Sequence, residues 1–399
     1  MRLNASIFLL MTLLVSGIGE NHSKAWEFSG NMTGEYRYFH ETPVRADQED
    51  YNFSGSITPE CYFLIADSRD SVLFKLFGRI DQNDSNRTHV DIRELKWNKV
   101  SEWWELTIGI NTVFWGVTET AHLVNIINQV DMVENPDEED MLGQPMVNLV
   151  FVTDWGNFSF FVLPGFRERT FPGRKGRPGS IFILSEDPVY ESDSEEWHTD
   201  TAFRYSHTFG PWDVGISHFY GTSRDPRFDI TLYEINSKGE VELKPIYEII
   251  NQNGLDLQCT LSGWMLKFEG IYRSGQGDSF YAFASGFEYT FEDIFSLGMD
   301  TGIFCEYLYD ERDTEASDND LAGGLRFTLN DIQSTEFILA VIQDIENHSR
   351  YYYMEASRRI GNAFRLTAEI RGVDNVDKAD PLIEFEKDQY FQVALGYYF

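Results

Sequence analysis

Apolar and polar residues alternate with a period of two along most of the sequence from Trp26 to Phe399, and this pattern constrains the fold more than any other feature. Such alternation is typical of β-strands that turn one face to an apolar phase and the other to water. In the segment WMLKFEGIYR, the apolar face that begins at Trp264 opposes Lys267 and Glu269. Similar outward rows occur at residues 281–291, 297–307 and 364–370. The pattern predicts strands from one end of this region to the other.

The connections between these strands distinguish a barrel from a β-sandwich, which would show the same alternation. Every second connection is a tight turn, whereas those between them are mostly longer and polar, with very long loops at residues 111–146, 165–197 and 222–252. An even number of strands with short turns on one rim and long loops on the other is typical of outer-membrane barrels. The strands are mostly about 10 residues long, which fits a tilted crossing of the bilayer.

The sequence therefore predicts an all-β fold, a transmembrane antiparallel up-and-down β-barrel of about 18 strands, with 16 as the alternative. We expect short periplasmic turns and long extracellular loops. Within the third long loop, the segments DITLYEI and VELKPIY are compatible with a separate hairpin.

The N-terminal region has the pattern of a cleaved secretory signal. Arg2 precedes a mainly apolar run at residues 7–18, and Ser23 and Ala25 form a small-x-small cleavage site. We expect residues 1–25 to be a signal peptide and residues 26–399 to form a single barrel domain.

Charge and motif content restrict the function. The chain has 32 Lys and Arg residues against 65 Asp and Glu residues, a net charge of −33, which argues against nucleic acid as a partner. It contains neither HExxH nor GxSxG, and Cys61, Cys259 and Cys305 lack metal-ligand spacing. The sequence therefore predicts no enzyme activity, no catalytic residue, no cofactor and no metal site. A Ser/His/acid set that uses His207 or His218 across adjacent strands is the alternative.

A barrel of 16 to 18 strands is too wide for its own side chains to fill, so it encloses water. The inward rows carry charges of both signs, which suits a pore for polar solutes; the same charges could also simply pair with one another. The candidate pore-lining cations on the strands are Lys75, Arg79, Arg204, Lys267, Arg326, Arg365 and Arg371.

Two of the long loops could narrow such a pore. Loop 111–146 contains HLVNIINQV, whose apolar residues fall at helical spacing, so we expect a helix that folds into the lumen and packs on the wall. An external cap is the alternative. The next loop, GFRERTFPGRKGRP, contains a basic cluster that would attract carboxylated solutes or neutralise the acidic run ENPDEED. Its candidate constriction residues are Arg167, Arg169, Arg174 and Arg177.

The final strand, FQVALGYYF, carries an alternating apolar face that ends at the last residue. This face consists of Phe391, Val393, Leu395, Tyr397 and Phe399. On this strand and the barrel pattern, the chain resembles Gram-negative outer-membrane β-barrel proteins, in which such a strand is the assembly signal. The segments VFWGVTE, LGQPMVNL and FRERTFPG are also similar to those of an uncharacterised porin-like family.

The resemblance implies a place in the outer membrane of a Gram-negative bacterium. The expected partners are outer-membrane lipid, the barrel-assembly machinery and small polar solutes. The expected function is a porin-like channel for passive or selective diffusion of small polar or charged solutes. A non-transport barrel for surface binding or export of a macromolecule is the alternative, and a secreted soluble β-protein is a third interpretation. The sequence leaves open whether the protein is a monomer or a homo-oligomer.

Overall fold

The computed structural model describes residues 26–399, apart from 66–67, 181, 230, 232, 236–238, 297 and 313–315. The predicted signal peptide at residues 1–25 and the predicted outward Leu297 lie outside the described residues. Eighteen strands form one antiparallel sheet that closes on itself. The strands are β1 Trp26–Phe39, β2 Tyr51–Leu64, β3 Asp70–Asp81, β4 His89–Val100, β5 Trp104–Asn111, β6 Gln144–Thr153, β7 Gly156–Pro164, β8 Thr199–Phe209, β9 Trp212–Thr222, β10 Ile249–Leu261, β11 Trp264–Gly275, β12 Gly277–Phe291, β13 Asp300–Asp310, β14 Asn319–Thr328, β15 Glu336–Asp344, β16 Arg350–Ile360, β17 Phe364–Asp374 and β18 Tyr390–Tyr398. The predicted barrel of about 18 strands is confirmed.

The first and last strands close the barrel. β18 pairs antiparallel with β1, so that Asn31 lies opposite Tyr398. The N–H of Gly30 donates to the carbonyl of Phe399 at 3.0 Å, and the N–H of Phe399 donates back to Gly30 at 3.1 Å. Closure leaves no unpaired strand edge, which a backbone inside a bilayer requires.

The wall has an apolar outer face and a polar inner face. Trp264 and Tyr272 are exposed on β11, whereas Lys267 and Glu269 of the same strand are buried inside. On the final strand, Phe391, Leu395, Tyr397 and Phe399 are exposed and Val393 is half-buried. The outward orientation predicted for these rows is confirmed, and it presents a continuous apolar surface to lipid.

Short turns and long loops lie on opposite rims, with two differences from the prediction. β13 begins only at Asp300, although the predicted outward row begins at residue 297, because Ile294–Ser296 forms a 3-10 turn and the side chain of Asp293 accepts the N–H of Gly298 at 2.7 Å. On the long-loop rim, only Gln276 separates β11 from β12. Gly275 and Gly277 there have φ of +105° and +74°, a conformation that favours glycine.

The extracellular loops contain short strands that form two small sheets of three strands each. Glu234–Ile235 pairs antiparallel with Val241–Leu243, so the hairpin compatible with the third loop is present. The remaining loop strands are Ile183–Leu184, Val189–Tyr190, Arg227–Phe228 and Pro245–Tyr247. The 3-10 helices are Glu195–Trp197, Ile294–Ser296 and Pro381–Phe385. In the part of the chain that the structure describes, no helix has the length and apolar character needed to cross a membrane.

Candidate functional site

Residues 112–143, here called the inner segment, run across the interior of the barrel. Their apolar side chains Trp115, Val124, Ile126 and Ile127 are buried. These side chains pack against inward residues of β6 to β12, namely Met146, Phe161, Leu163, Ala202, Phe219, Ile250, Ile271, Phe280 and Ala282. The main apolar core of the described chain therefore lies between the inner segment and one half of the wall.

The helix predicted within HLVNIINQV is wrong: residues 122–130 are irregular, with a turn at Leu123 and Val124 and a bridge at Val130. Side chains of other elements bond to the backbone there: Glu269 accepts the N–H of Val124, and Gln252 and Arg224 donate to the carbonyls of Leu123 and Ile127. The Asn128 Oδ1 accepts the N–H of Val113 at 2.8 Å, and its Nδ2 donates to the carbonyls of Asn111 and Leu142. Such side-chain bonds compete with helix formation. The apolar spacing is therefore produced by burial against the wall rather than by helical periodicity.

One end of the inner segment is held by two carboxylates of the wall. Glu269 on β11 is 0% exposed, and its Oε1 accepts the N–H groups of Val117 and Thr118 at 2.5 and 3.0 Å. Glu306 on β13 accepts the N–H groups of Glu119 and Thr120 at 2.8 and 2.9 Å. A charged acceptor makes stronger hydrogen bonds than a neutral one. These two side chains therefore fix the turn at residues 117–120.

Gly116 allows this approach of the backbone to Glu269. Its φ is +145°, and a Cβ at this position would lie 2.9 Å from the Glu269 Oε1. Only glycine adopts such a conformation without strain and leaves the carboxylate in place. This accounts for the glycine in the segment VFWGVTE.

Arginines of β3 and β4, and of the loop between them, hold the other end. Arg79 donates to Glu134 at 2.8 Å, and Arg93 pairs with Asp131 at 2.5 Å. Arg87 donates to the backbone carbonyl of Glu134 at 3.0 Å. The inner segment is thus attached by charged groups to both sides of the barrel.

The space that remains between the inner segment and the opposite wall is a cavity of about 840 Å³. The segment contributes acidic groups to its lining, among them Glu119, Asp137, Glu138 and Glu139. The strands and the other loops contribute Arg169, Arg224, Arg273, Arg312, Arg326 and Arg371. Charges of opposite sign therefore face each other across the cavity.

Several of these charges are paired across the cavity or along the wall. Arg326 donates to Glu119 at 2.6 Å, and Arg371 donates to Asp137 at 2.9 Å. Asp225 lies within 3.4 Å of Arg169. The pairing fixes the orientation of the guanidinium groups toward the lumen.

His122 lies on the inner segment at the edge of the same cavity. Its Nε2 is 3.4 Å from the Oε1 of Glu139, and its ring contacts Phe114 edge-on. Burial lowers the pKa of His122, but the hydrogen bond to Glu139 and the negative charges of Glu269, Glu139 and Glu119 raise it above its ordinary value. The bond to His122 in turn lowers the pKa of Glu139.

The structure separates the cations predicted on the strands into three groups. Of these, Arg326 and Arg371 line the cavity. Arg79 and Lys267 contact the inner segment instead, Arg79 at Glu134 and Lys267 at 4.0 Å from Glu119.

The remaining predicted strand cations lie elsewhere on the wall. Arg204 is paired end-on with Asp256, and its Nη1 and Nη2 donate to the two carboxylate oxygens at 2.7 and 2.8 Å. Lys75 lies opposite Glu60 and Glu94 in the sheet register, and Arg365 lies on β17 opposite Gly396. The pore-lining role assigned to these positions stays a prediction.

The four arginines predicted in the second long loop also have separate environments. Arg169 lines the cavity, and Arg167 pairs with Asp91 at 2.9 Å. Arg177 is buried and pairs with Asp388 at 2.7 Å, while Arg174 pairs with Asp47 at 3.0 Å. One acid of the run ENPDEED, Glu138, lies 3.8 Å from Arg169. These arginines are therefore a set of separate anchors rather than one basic cluster.

Sequence reasoning missed Arg87, Arg93, Arg224 and Arg312. Three of them lie in loops or at a strand end, where alternation gives no orientation. Arg93 lies at a register shift of β4, and it keeps the alternation of His89 and Asp91 up to that shift. The shift reverses the alternation from Glu94 onward, so a single period of two fitted to the whole strand does not orient Arg93.

Comparison with known proteins supports the fold. No family model matches the chain, and none of the curated proteins matches its sequence. The chain is similar in structure to Wzi of Escherichia coli, an outer-membrane carbohydrate-binding β-barrel involved in group 1 capsule assembly. The TM-score is 0.53 at 9% identity, over 98% of this chain and 87% of Wzi. OmpT of Vibrio cholerae gives a TM-score of 0.46 at 9% identity, over 94% of this chain and 99% of OmpT. A mutant Rh. blastica porin also gives a TM-score of 0.46, at 10% identity, over 94% of this chain and 100% of the porin.

The fold is that of a Gram-negative outer-membrane β-barrel. The similarity to Wzi extends over nearly the whole chain, and the closed wall turns its apolar face outward. The protein therefore belongs in the outer membrane, in contact with lipid.

Proposed function

We propose that the protein is a channel for small polar or charged solutes, and that the inner segment narrows it. The observation that carries this proposal is the cavity of about 840 Å³ inside the barrel, with acidic groups on the segment and arginines on the facing wall. Its lining offers hydrogen bonds and charges of both signs to a passing solute, which replace part of the solute's hydration. An uncharged apolar solute would gain little from such a lining.

The residues that would act on the solute are the arginines and acids that face each other in this cavity. Arg169, Arg326 and Arg371 are held in place by acidic partners, so their guanidinium groups keep a fixed position. Fixed charges of opposite sign create a field across the pore that orients dipolar or charged solutes. The same proposal includes assembly through the final strand by the barrel-assembly machinery, and no catalytic step.

Single-channel recording in planar bilayers tests this function. The refolded protein is expected to give discrete conductance steps. Arg169→Ala should shift the reversal potential in a salt gradient toward cation selectivity, because it removes a positive charge from the lumen. Arg174→Ala is the matched control, because Arg174 pairs with Asp47 on the outer loops and should leave the reversal potential unchanged.

A folded protein without channel activity would give a different result. A folded barrel, identified by its heat-modifiable migration on a gel, that shows no conductance steps would overturn the channel proposal. That outcome would favour the alternative of a non-transport barrel that binds a surface partner or assists export.

A further inference from the structure

Three potential metal ligands meet where the inner segment touches β4. The Nε2 of His89 lies 3.8 Å from the Oδ2 of Asp131 and 3.7 Å from the Oε1 of Glu134. The three ligand atoms all lie within 4.8 Å of one another. The side chain of Asp131 is 0% exposed and that of Glu134 is 3% exposed. His89 is carried by the wall, whereas the two acids are carried by the segment.

Two atoms of this group have no hydrogen-bond partner although they are buried: the Nε2 of His89 and the Oε1 of Glu134. The Nδ1 of His89 lies 3.2 Å from the backbone carbonyl of Arg87, which can only accept, so Nδ1 carries the proton. The lone pair of Nε2 then points toward two carboxylates. Such an arrangement is repulsive unless a cation or a proton lies between the three groups.

The neighbouring arginines leave one ligand oxygen open, that of Glu134, and share the other, that of Asp131. Arg79 binds the Oε2 of Glu134 and leaves its Oε1 open. Thr170 donates to the Oδ1 of Asp131 at 2.6 Å, and Arg93 donates to the Oδ2 at 2.5 Å, so the Oδ2 would bind an ion through its remaining lone pair while it keeps this hydrogen bond. The carboxylate of Glu134, bound at one oxygen and open at the other, is thus oriented by its partner, as in the outer shell of known metal sites.

We propose that His89, Asp131 and Glu134 bind a divalent transition-metal ion, with Zn²⁺ as the best match. In a tetrahedral site with bonds of about 2.1 Å, ligand atoms lie about 3.4 Å apart, close to the two separations at His89. Imidazole nitrogen with two carboxylates suits Zn²⁺, whereas Ca²⁺ and Mg²⁺ prefer oxygen ligands throughout. A fourth position would be left for water.

The site fastens the inner segment to the wall and does not depend on the proposed channel function. The segment carries Asp131 and Glu134, and β4 carries His89, so a bound ion cross-links the two. Asp131 also forms an isolated bridge with Thr170 of the next loop, which brings that loop into the same junction. The ion would therefore hold the segment in its place across the lumen.

Zinc titration of the purified, detergent-solubilised full chain, after treatment with a chelator, tests the proposal. The wild type is expected to bind one tight equivalent of Zn²⁺, measured by calorimetry and elemental analysis. His89→Ala should weaken this binding at least about 100-fold, because it removes a direct ligand. His40→Ala is the matched control: its imidazole lies 3.5 Å from Glu41 but is exposed, and the tight equivalent should remain.

Cobalt provides a second measurement. Co²⁺ bound at this site should give the visible absorption bands of a four-coordinate ion, and Glu134→Gln should weaken them while the barrel keeps its heat-modifiable migration. No tight equivalent in the wild type would overturn the proposal and leave a proton on His89 as the cation between the acids. Tight binding retained by His89→Ala would also overturn it.

Discussion

The strongest test of how the inner segment is held is the substitution Glu269→Ala. The Oε1 of Glu269 accepts the N–H of Val117 at 2.5 Å, and the N–H and hydroxyl of Thr118 at 3.0 and 2.8 Å. Its Oε2 accepts the N–H of Val124 at 3.2 Å. Removal of the side chain leaves three backbone N–H groups and one hydroxyl without this acceptor.

The magnitude follows from these lost bonds. A buried donor without a partner costs about 1 to 3 kcal/mol, and water from the cavity would satisfy some of the donors. We therefore expect docking of the segment to weaken by about 3 to 6 kcal/mol, which is about 150-fold to about 20,000-fold in the equilibrium between docked and undocked states. Glu269→Gln should have a smaller effect, because the amide keeps one oxygen acceptor.

Amide hydrogen exchange of the peptide that covers residues 113–128 measures this equilibrium. In Glu269→Ala, exchange there should accelerate by the same factor, while peptides of the wall stay protected and the protein keeps its heat-modifiable migration. Glu288→Ala is the matched control, because Glu288 lies on the same inner wall and bonds to Lys267 at 3.4 Å. Exchange unchanged in Glu269→Ala would show that Glu269 does not hold the segment in place.

Other consequences can be tested on the same preparation. Gly116→Ala should accelerate amide exchange in the peptide that covers residues 113–128, because φ is +145° and the new Cβ would meet the carboxylate of Glu269. Exchange as slow as in the wild type would contradict this prediction. The pKa of His122 is raised, so its contribution to the stability of the docked segment is present below the ordinary value of 6.5 and is lost as the pH rises through the raised value. The pKa of Glu139 is lowered, so its contribution is present above the ordinary value of 4.5 and is lost as the pH falls through the lowered value. The pair should therefore stabilise the segment most between pH 4.5 and pH 6.5. In Glu139→Gln the negative partner is removed, so an NMR titration should show a lower pKa for His122 than in the wild type. Deletion of Phe399 removes the hydrogen bonds with Gly30 and should reduce the yield of heat-modifiable barrel, which pulse-labelled assembly assays measure.

The sequence by itself determined the fold. Side chains along a strand alternate between its faces, so each outward position next to lipid must be apolar and each inward position next to water can be polar. This local rule places Trp264 outside and Glu269 inside without reference to any distant residue. The same reasoning identified Phe399 as the end of the closing strand, which pairs with β1.

Only the tertiary structure decided how the interior is organised. Glu269 and Val117 are 152 positions apart in sequence, and no local pattern shows that they meet. The helix predicted within HLVNIINQV failed for the same reason, because distant side chains bond to its backbone: Glu269 at Val124, Gln252 at Leu123 and Arg224 at Ile127. The three residues of the proposed metal site were also invisible to motif search, since His89 lies on a strand and Asp131 and Glu134 lie on a loop. The alternation of apolar and polar residues along a strand depends only on whether each side chain faces lipid or water, which is a local property. Charge pairing in the lumen depends instead on how the closed wall and its loops bring distant residues together.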